Sequence, residues 1–402
     1  MRPRLLADLP RNARNSVLLE PLWAVPGTVT LYYATLFQKE AGLTTWQIGA
    51  VASAALWLGF LAQLAAGAVT DRLGRRRTTL LFDLLSWSLP MFLWAFADGF
   101  WLFLLAGLCS ALGRVVNLSF FLLVTEDADE HQRPRIFAAI KLVVMAAGLL
   151  TPLAGAAMAH WGTLPALRAV YLLGGISMTV LFLVRHRLTT ETAAGRQAAE
   201  APAGLGRGLR LLFSARELWP VVAVVLLTNL AVQFTLFQVV YLADELHLAT
   251  GLIALQPALG ALAAFACYRW VMPRRRHRPM SGNVLHGLLL GVAGWAAFLA
   301  VPGAGTPALL LATALTAAGP FLLESYRDAL VVTAIPPADR ATLSSAIQSA
   351  TALAAIPSGW LAALLYTRDP LLPFAAVLTC YALATAAILP LTARRAVGRV
   401  RA

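Results

Sequence analysis

The sequence predicts an all-α polytopic membrane protein: twelve helices arranged as two related six-helix bundles. Three observations carry this reading. Of the 402 residues, 59% are hydrophobic and only 13% charged, and mean hydropathy is +0.72; soluble domains average about 25% charged residues. The apolar residues fall into runs of ~20, the length that crosses a bilayer as a helix. The second half of the chain also repeats features of the first.

The elements follow in order. Span one, at about 15–37, follows the basic stretch MRPRLLADLPRNAR. That stretch lacks a long apolar region and a cleavage site, so no signal peptide is expected and the first span should remain. Span two (46–69) ends at an arginine-rich break that begins at Asp71, and span three (78–97) is separated from span four (100–124) only by ADGF. Span five (136–158) follows the polar run TEDADEHQRPR, and span six (165–185) ends in RHR. The longest polar stretch, 186–217, is rich in Ala, Gly and Arg and reads as a linker. Its end, GRGLRLLFSARELW, has the composition of a short interfacial helix. Spans seven to twelve lie at about 218–243, 250–271, 283–301, 306–333, 341–365 and 371–392. The expected organisation is an N-terminal bundle over 1–187, a linker over 188–217 and a C-terminal bundle over 218–402.

The excess of 32 Lys and Arg over 19 Asp and Glu is a topology signal. With the N-terminus inside, the outer loops hold only Lys39, Arg168 and Arg368, and Arg114, Lys141 and Arg327 fall within spans. Nearly all other bases lie on one side, which marks it as cytoplasmic and places both termini there. Nucleic-acid binding is excluded as a reading, because no separate soluble domain exists to perform it. Cys109, Cys267 and Cys380 sit in apolar runs with no paired motif, so neither disulfides, metal nor cofactor is expected. No HExxH, GxSxG or P-loop is present, which disfavours a membrane enzyme or ATP-driven transport.

At an offset of 205, Thr30, Glu40, Leu43, Thr45 and Ile48 match Thr235, Glu245, Leu248, Thr250 and Ile253, and Pro152 matches Pro357. Arginine-rich breaks follow both span two and span eight. Matching hydropathy and loop charge make this an internal duplication. Two six-helix halves of the same orientation suit a transporter with its substrate site near the midplane.

Residues Gly67-Ala68-Val69-Thr70-Asp71-Arg72-Leu73-Gly74-Arg75-Arg76-Arg77 fill every fixed position of Gly-x-x-x-Asp-Arg-x-Gly-Arg-Arg-Lys/Arg. The stretch resembles the signature of the major facilitator superfamily, and the six-plus-six plan extends that resemblance over the whole chain. The physics of the motif fits an inner gate. Gly67 would allow close helix packing. Asp71 would receive hydrogen bonds from another helix's N-terminal amides, which the resembled fold would supply near Arg340–Ser344. Gly74 would permit a tight turn, and Arg75 would pair with Glu126 or Asp127 at the end of span four. Arg72 belongs to the same latch. The bland alternative is that the arginines only set topology, and for Arg76 and Arg77 it is the better one.

Two further resemblances are partial. Arg114, in Ala111-Leu112-Gly113-Arg114, sits where many proton-coupled members carry an embedded arginine, although their following Gln-Gly is absent and Asn117 is the nearest polar neighbour. Span five has Ala147-x-x-x-Thr151-Pro152-x-x-Gly155-Ala156, similar to the exporters' Gly-x-x-x-Gly-Pro-x-x-Gly-Gly element with three glycines replaced by other small residues.

Charged groups in a bilayer are costly and mark functional sites. Glu20, Asp83 and Lys141 lie about five residues from inner helix ends, so ~8 Å deep, and Arg114 lies ~15 Å deep. These four are expected to form a formally neutral group in which Lys141 or Arg114 partners Asp83; snorkelling of Glu20 and a purely structural Asp83–Lys141 pair are the alternatives. In span ten, Glu324 and Asp328 share a face at i,i+4 and Arg327 neighbours Glu324; Glu324 is the best proton or substrate candidate. Cavity-lining candidates are Trp23, Gly27 and Thr30 on span one, and Asn229, Gln233 and Phe237 on span seven. His286 on span nine and Gln348 on span eleven complete the set, with ordinary packing as the competing account of the aromatic rings and the histidine.

The resulting expectation is a secondary transporter of small organic molecules, monomeric and bilayer-embedded, working by alternating access and coupled to protons as an exporter. The alternative is a proton symporter or facilitator importing a sugar, organic acid or other metabolite. Enrichment in Gly, Ala, Leu and Arg points to a prokaryotic plasma membrane.

Overall fold

A computed structural model describes residues 8–129, 132–192, 214–275, 277–335 and 340–400. They are almost wholly helical, with no strand among the described residues. Among the described residues, eleven helical segments are long and apolar enough to cross a membrane: Thr45–Leu73, Arg75–Ala95, Phe100–Thr125, Arg135–Trp161, Thr163–Leu188, Arg216–Glu245, Thr250–Arg275, Met280–Leu299, Val301–Val331, Ala346–Arg368 and Leu372–Thr392. They correspond to spans two to twelve. The first span is instead two helices, Arg11–Leu19 and Pro21–Glu40, which meet at Glu20. Pro21 explains the new start: it lacks the N–H that an uninterrupted helix would need, and its fixed φ suits a first helical position.

The chain divides into two compact units, Met1–Ala201 with Ala249–Ala254, and Pro202–Leu248 with Leu255–Ala402. The linker residues 193–213, which hold most of the expected interfacial helix, lie outside the described residues.

In the first unit, local chemistry sets the breaks. Thr44 and Gln47 form a reciprocal capping box at the start of span two. Gly74, at φ 81°, turns span two into span three in a conformation that favours glycine. Span three is not regular: a π-turn, Leu84–Ser88, separates Arg75–Asp83 from Leu89–Ala95. Span four is parted at Leu112, and span five at Leu149–Leu150, just before Pro152. An aromatic cluster forms the core near the C-terminal end of span three. Phe37 stacks on Tyr171 at 4.8 Å, and Trp94 meets Phe103 edge-on at 5.2 Å and Tyr171 at 5.1 Å.

The second unit packs spans nine and ten backbone to backbone. A Cβ on Gly319 would stand 2.8 Å from the Gly291 nitrogen, and one on Gly287 would stand 2.7 Å from the Leu323 nitrogen. Small residues win such positions in lipid because close backbone approach maximises van der Waals contact. Tyr241, Trp295, Phe298 and Phe374 form its aromatic core. The break expected between spans nine and ten is mostly helical, interrupted at Gly305, at φ 66°. Span eleven is parted at Ile356–Pro357, the duplicate of the break before Pro152.

Candidate functional site

The motif residues converge on a charged cluster at one end of the first unit. Arg75 is buried at the N-terminus of span three. One of its Nη atoms donates to Asp71 Oδ1 at 2.8 Å, and its Nε donates to Glu126 Oε1 at 3.2 Å. The helix start is covered from the far side. Glu191, three residues past span six, accepts the backbone N–H groups of Arg75 at 2.9 Å and Arg76 at 3.1 Å. A carboxylate there satisfies two orphan amides and opposes the positive end of the helix dipole. Thr192 donates to the other oxygen of Glu126.

The segment that supplies Glu191 is itself tied down. Asn12 and Thr190 exchange two hydrogen bonds of 2.9 Å, and Arg11 and Asn15 both donate to the Leu188 carbonyl. Arg76 donates to the His186 carbonyl. Gly74 is doubly constrained, by its positive φ and because a Cβ would stand 2.5 Å from the Glu191 carboxylate. Arg72 and Asp127 are exposed and outside this network. Gly67 differs from expectation: nothing lies within 4 Å of where its Cβ would be, so it relieves no close packing among the described residues. The side chains of Arg340 and Ser344, where a partner for Asp71 was expected, lie outside the described residues.

A second cluster lies deeper in the same unit, and it corrects the expected charge group. Asp83 is 2% exposed and its carboxylate pairs with Arg185 of span six. Glu20, 7% exposed at the break in span one, lies within electrostatic reach of both. Arg185 is 5% exposed, and its guanidinium lies 4.9 Å from the Phe120 ring centroid and 5.1 Å from that of Phe182. Arg114 and Lys141 are both exposed instead; Arg114 runs past Gly59 and has no acid partner among the described residues. The reason is one helical turn. Span six continues to Leu188, so Arg185 lies inside the helix and not at a loop edge. The buried stripe Tyr171, Met178, Leu181, Phe182 extends to it at helical spacing, a signal readable in the sequence as an arginine on a core face.

The cluster thus holds two carboxylates and one guanidinium. Burying an uncompensated charge costs several kcal/mol. One proton on the pair of acids makes the group formally neutral.

Other candidates fall differently. Trp23 is half-buried, edge-on to Trp87 at 5.0 Å, and its indole covers Gly27. Thr30 is buried; its hydroxyl donates to the Pro26 carbonyl at 2.8 Å, and its own carbonyl accepts from the Tyr171 hydroxyl at 3.0 Å. Asn117 and Gln348 are exposed. Asn229 donates to the Val225 carbonyl at 2.8 Å, and Gln233 is half-buried. Phe237 does not line a cavity: it is 1% exposed and stacked on Tyr366 at 4.8 Å, as core. His286 Nδ1 donates to the Gly282 carbonyl at 2.6 Å, the structural role weighed for it. Glu324 is exposed, and both it and Arg327 lie within electrostatic reach of the Tyr381 hydroxyl. Arg327 also donates to Thr228 at 3.3 Å. The side chain of Asp328 lies outside the described residues. Among the described residues no group of His, Cys, Asp and Glu has the arrangement of a metal site.

No curated protein matches the sequence. Solved structures do resemble the fold. The nucleoside transporter NupG matches at 14% identity and TM-score 0.71, covering 96% of this chain and 99% of that one. A POT family transporter in complex with a thioalcohol-conjugated peptide matches at 13% identity and TM-score 0.71, covering 97% and 98%. A bacterial homologue of the iron transporter ferroportin, in an inward-facing state, matches at 16% and 0.71, covering 94% and 98%. The profile of the Major Facilitator Superfamily matches residues 24–359. That match spans most of the chain, agrees with the Gly67–Arg77 signature around its Arg75 ion pairs, and shows that the chain belongs to the major facilitator superfamily of secondary transporters.

Proposed function

We propose that this transporter moves a small organic molecule outward in exchange for protons, by alternating access, in the plasma membrane of a prokaryote with both termini in the cytoplasm. The observation that carries the proton step is the buried Glu20–Asp83–Arg185 group, in which two acids share one base. Asp83 holds the guanidinium, so Glu20 is the acid that exchanges the proton. Its position at the break between Arg11–Leu19 and Pro21–Glu40 gives it the backbone most able to shift as the inner side opens and closes. Glu324 is a second acid for the same role in the other unit.

Asp71, Arg75 and Glu126, covered by Glu191, form the inner latch of this reading. Arg72 and Asp127 serve topology and solvation instead. The outward direction is supported by the small-residue element of span five, where the break before Thr151–Pro152 gives a packed but hinged helix. One observation favours the alternative, import of an anionic metabolite: Arg114 is a cation without an acid partner among the described residues, as a site for a substrate carboxylate or phosphate would require.

The test uses purified protein in proteoliposomes with an imposed proton gradient. Glu20→Gln should abolish gradient-driven transport and spare substrate counterflow. Glu324→Gln should lower the gradient-driven rate in the same assay. Gradient-driven transport at the parent rate in Glu20→Gln excludes Glu20 as the proton carrier. Substrate movement that ignores the gradient in the parent protein excludes proton coupling altogether.

A further inference from the structure

The π-turn in span three has no part in the latch or the charged group, yet it lies directly between them and the aromatic core. Such wide turns recur at functional sites. Here the turn brings Ser86 and Trp87 to the wall of a cavity of about 250 Å³ inside the first unit, bounded by spans one, three, four and six. Its mouth is at Leu31, 58% exposed, and at the exposed Ser110.

Two polar atoms in this wall are buried without a hydrogen-bond partner among the described residues: the hydroxyl of Ser86, itself 1% exposed, and the indole N–H of Trp94. The hydroxyls of Thr30 and Tyr171 in the same wall are committed elsewhere. The Thr30 hydroxyl donates to the Pro26 carbonyl and the Tyr171 hydroxyl to the Thr30 carbonyl. Trp94 cannot swing to find a partner, because its ring is held by Phe37, Phe103 and Tyr171. Each unmade bond of this kind carries a desolvation cost that a ligand atom can remove.

We propose that this cavity is a binding subsite for a neutral aromatic or heteroaromatic ring that carries a hydrogen-bond acceptor. The ring lies among the indoles of Trp87 and Trp94 and the Tyr171 ring. The acceptor takes the Trp94 N–H, which can only donate, and the Ser86 hydroxyl supplies or receives a second bond. Among the described residues no charged side chain lines the cavity, which selects against an ionised ring. The subsite deepens the transporter reading by naming a cargo class, but ring binding itself does not depend on proton coupling.

The experiment is a ¹⁹F NMR titration of the full chain in lipid nanodiscs at neutral pH, with two probes of the same shape: fluoroquinoline, which has a ring-nitrogen acceptor, and fluoronaphthalene, which has none. The parent protein should bind fluoroquinoline saturably and roughly 3- to 10-fold more tightly than fluoronaphthalene, the worth of one hydrogen bond. Trp94→Phe keeps the ring packing and should erase that preference. Ser86→Leu fills the cavity and should abolish saturable binding of both probes. Equal affinities in the parent protein, a preference that survives Trp94→Phe, or binding unchanged in Ser86→Leu each overturn the subsite. Loss of gradient-driven transport in Glu20→Gln with probe binding intact separates the two proposals. If the probes do not bind while gradient-driven transport persists, the subsite fails alone.

Discussion

Replacing Arg185 by leucine tests the reasoning about the buried charges most directly. The substitution removes the one base of the group among the described residues and leaves Asp83 and Glu20, 2% and 7% exposed, without the counter-charge that Arg185 supplies. Breaking a buried ion pair from one side costs ~3–5 kcal/mol. For a unit of this size that lowers the unfolding midpoint by roughly 6–20 °C. Asp83→Asn should cost much less, because Arg185 keeps Glu20 within electrostatic reach. The triple variant Glu20→Gln, Asp83→Asn, Arg185→Leu should recover most of the loss, since no charge remains buried. Acidification should narrow the deficit of Arg185→Leu, because a carboxyl that takes a proton no longer needs a counter-charge. Thermal unfolding of the purified proteins, followed by tryptophan fluorescence, measures all of these. If the triple variant is no more stable than Arg185→Leu, the loss comes from packing of the arginine between Phe120 and Phe182 and the charge argument is wrong. Equal losses for Asp83→Asn and Arg185→Leu would refute the sharing of one base by two acids.

Other consequences are open to simpler measurements. Gly74→Ala forces a side chain into a positive-φ position and against the Glu191 carboxylate, so it should destabilise by about 1–3 kcal/mol; Glu191→Ala should relieve the clash and make the two losses less than additive in a thermal-unfolding cycle. Arg75→Ala and Glu126→Ala should be non-additive in the same assay, because each alone removes the same contact, leaving Glu126 with Thr192 or Arg75 with Asp71; additive losses would mean that the 3.2 Å contact contributes nothing. Gly319→Val should lower stability by about 1–3 kcal/mol, because its Cβ position already meets the backbone of span nine; an unchanged midpoint would show that spans nine and ten are not held this closely.

Much of this was legible from residues alone. Hydropathy and arginine placement located spans two to twelve to within a few residues, because length and polarity are local quantities that the bilayer reads directly. The pairing of Arg75 with an acid ending span four, Glu126 and not Asp127, also followed from sequence, since a turn at Gly74 leaves the arginine at the start of its helix. Other features needed packing. Arg185 looked like a loop marker until the helix carried one turn further and turned it onto the core stripe. Glu191 gave no motif: its role depends on the chain folding back across the N-terminal end of span three, held by Asn12 and Thr190.

What the amino-acid sequence by itself determined is therefore the placement and order of spans two to twelve and the identity of the signature. Each rests on composition over a window or on residues adjacent in the chain. Only the tertiary structure decided which buried acid meets which base, that Phe237 is core and Gly67 lies open, and that Ser86 and Trp94 share a cavity. Those outcomes depend on the rotation of each helix about its axis. That rotation is set by the helices packed around it, and in span three by one π-turn that shifts the register of everything beyond Asp83.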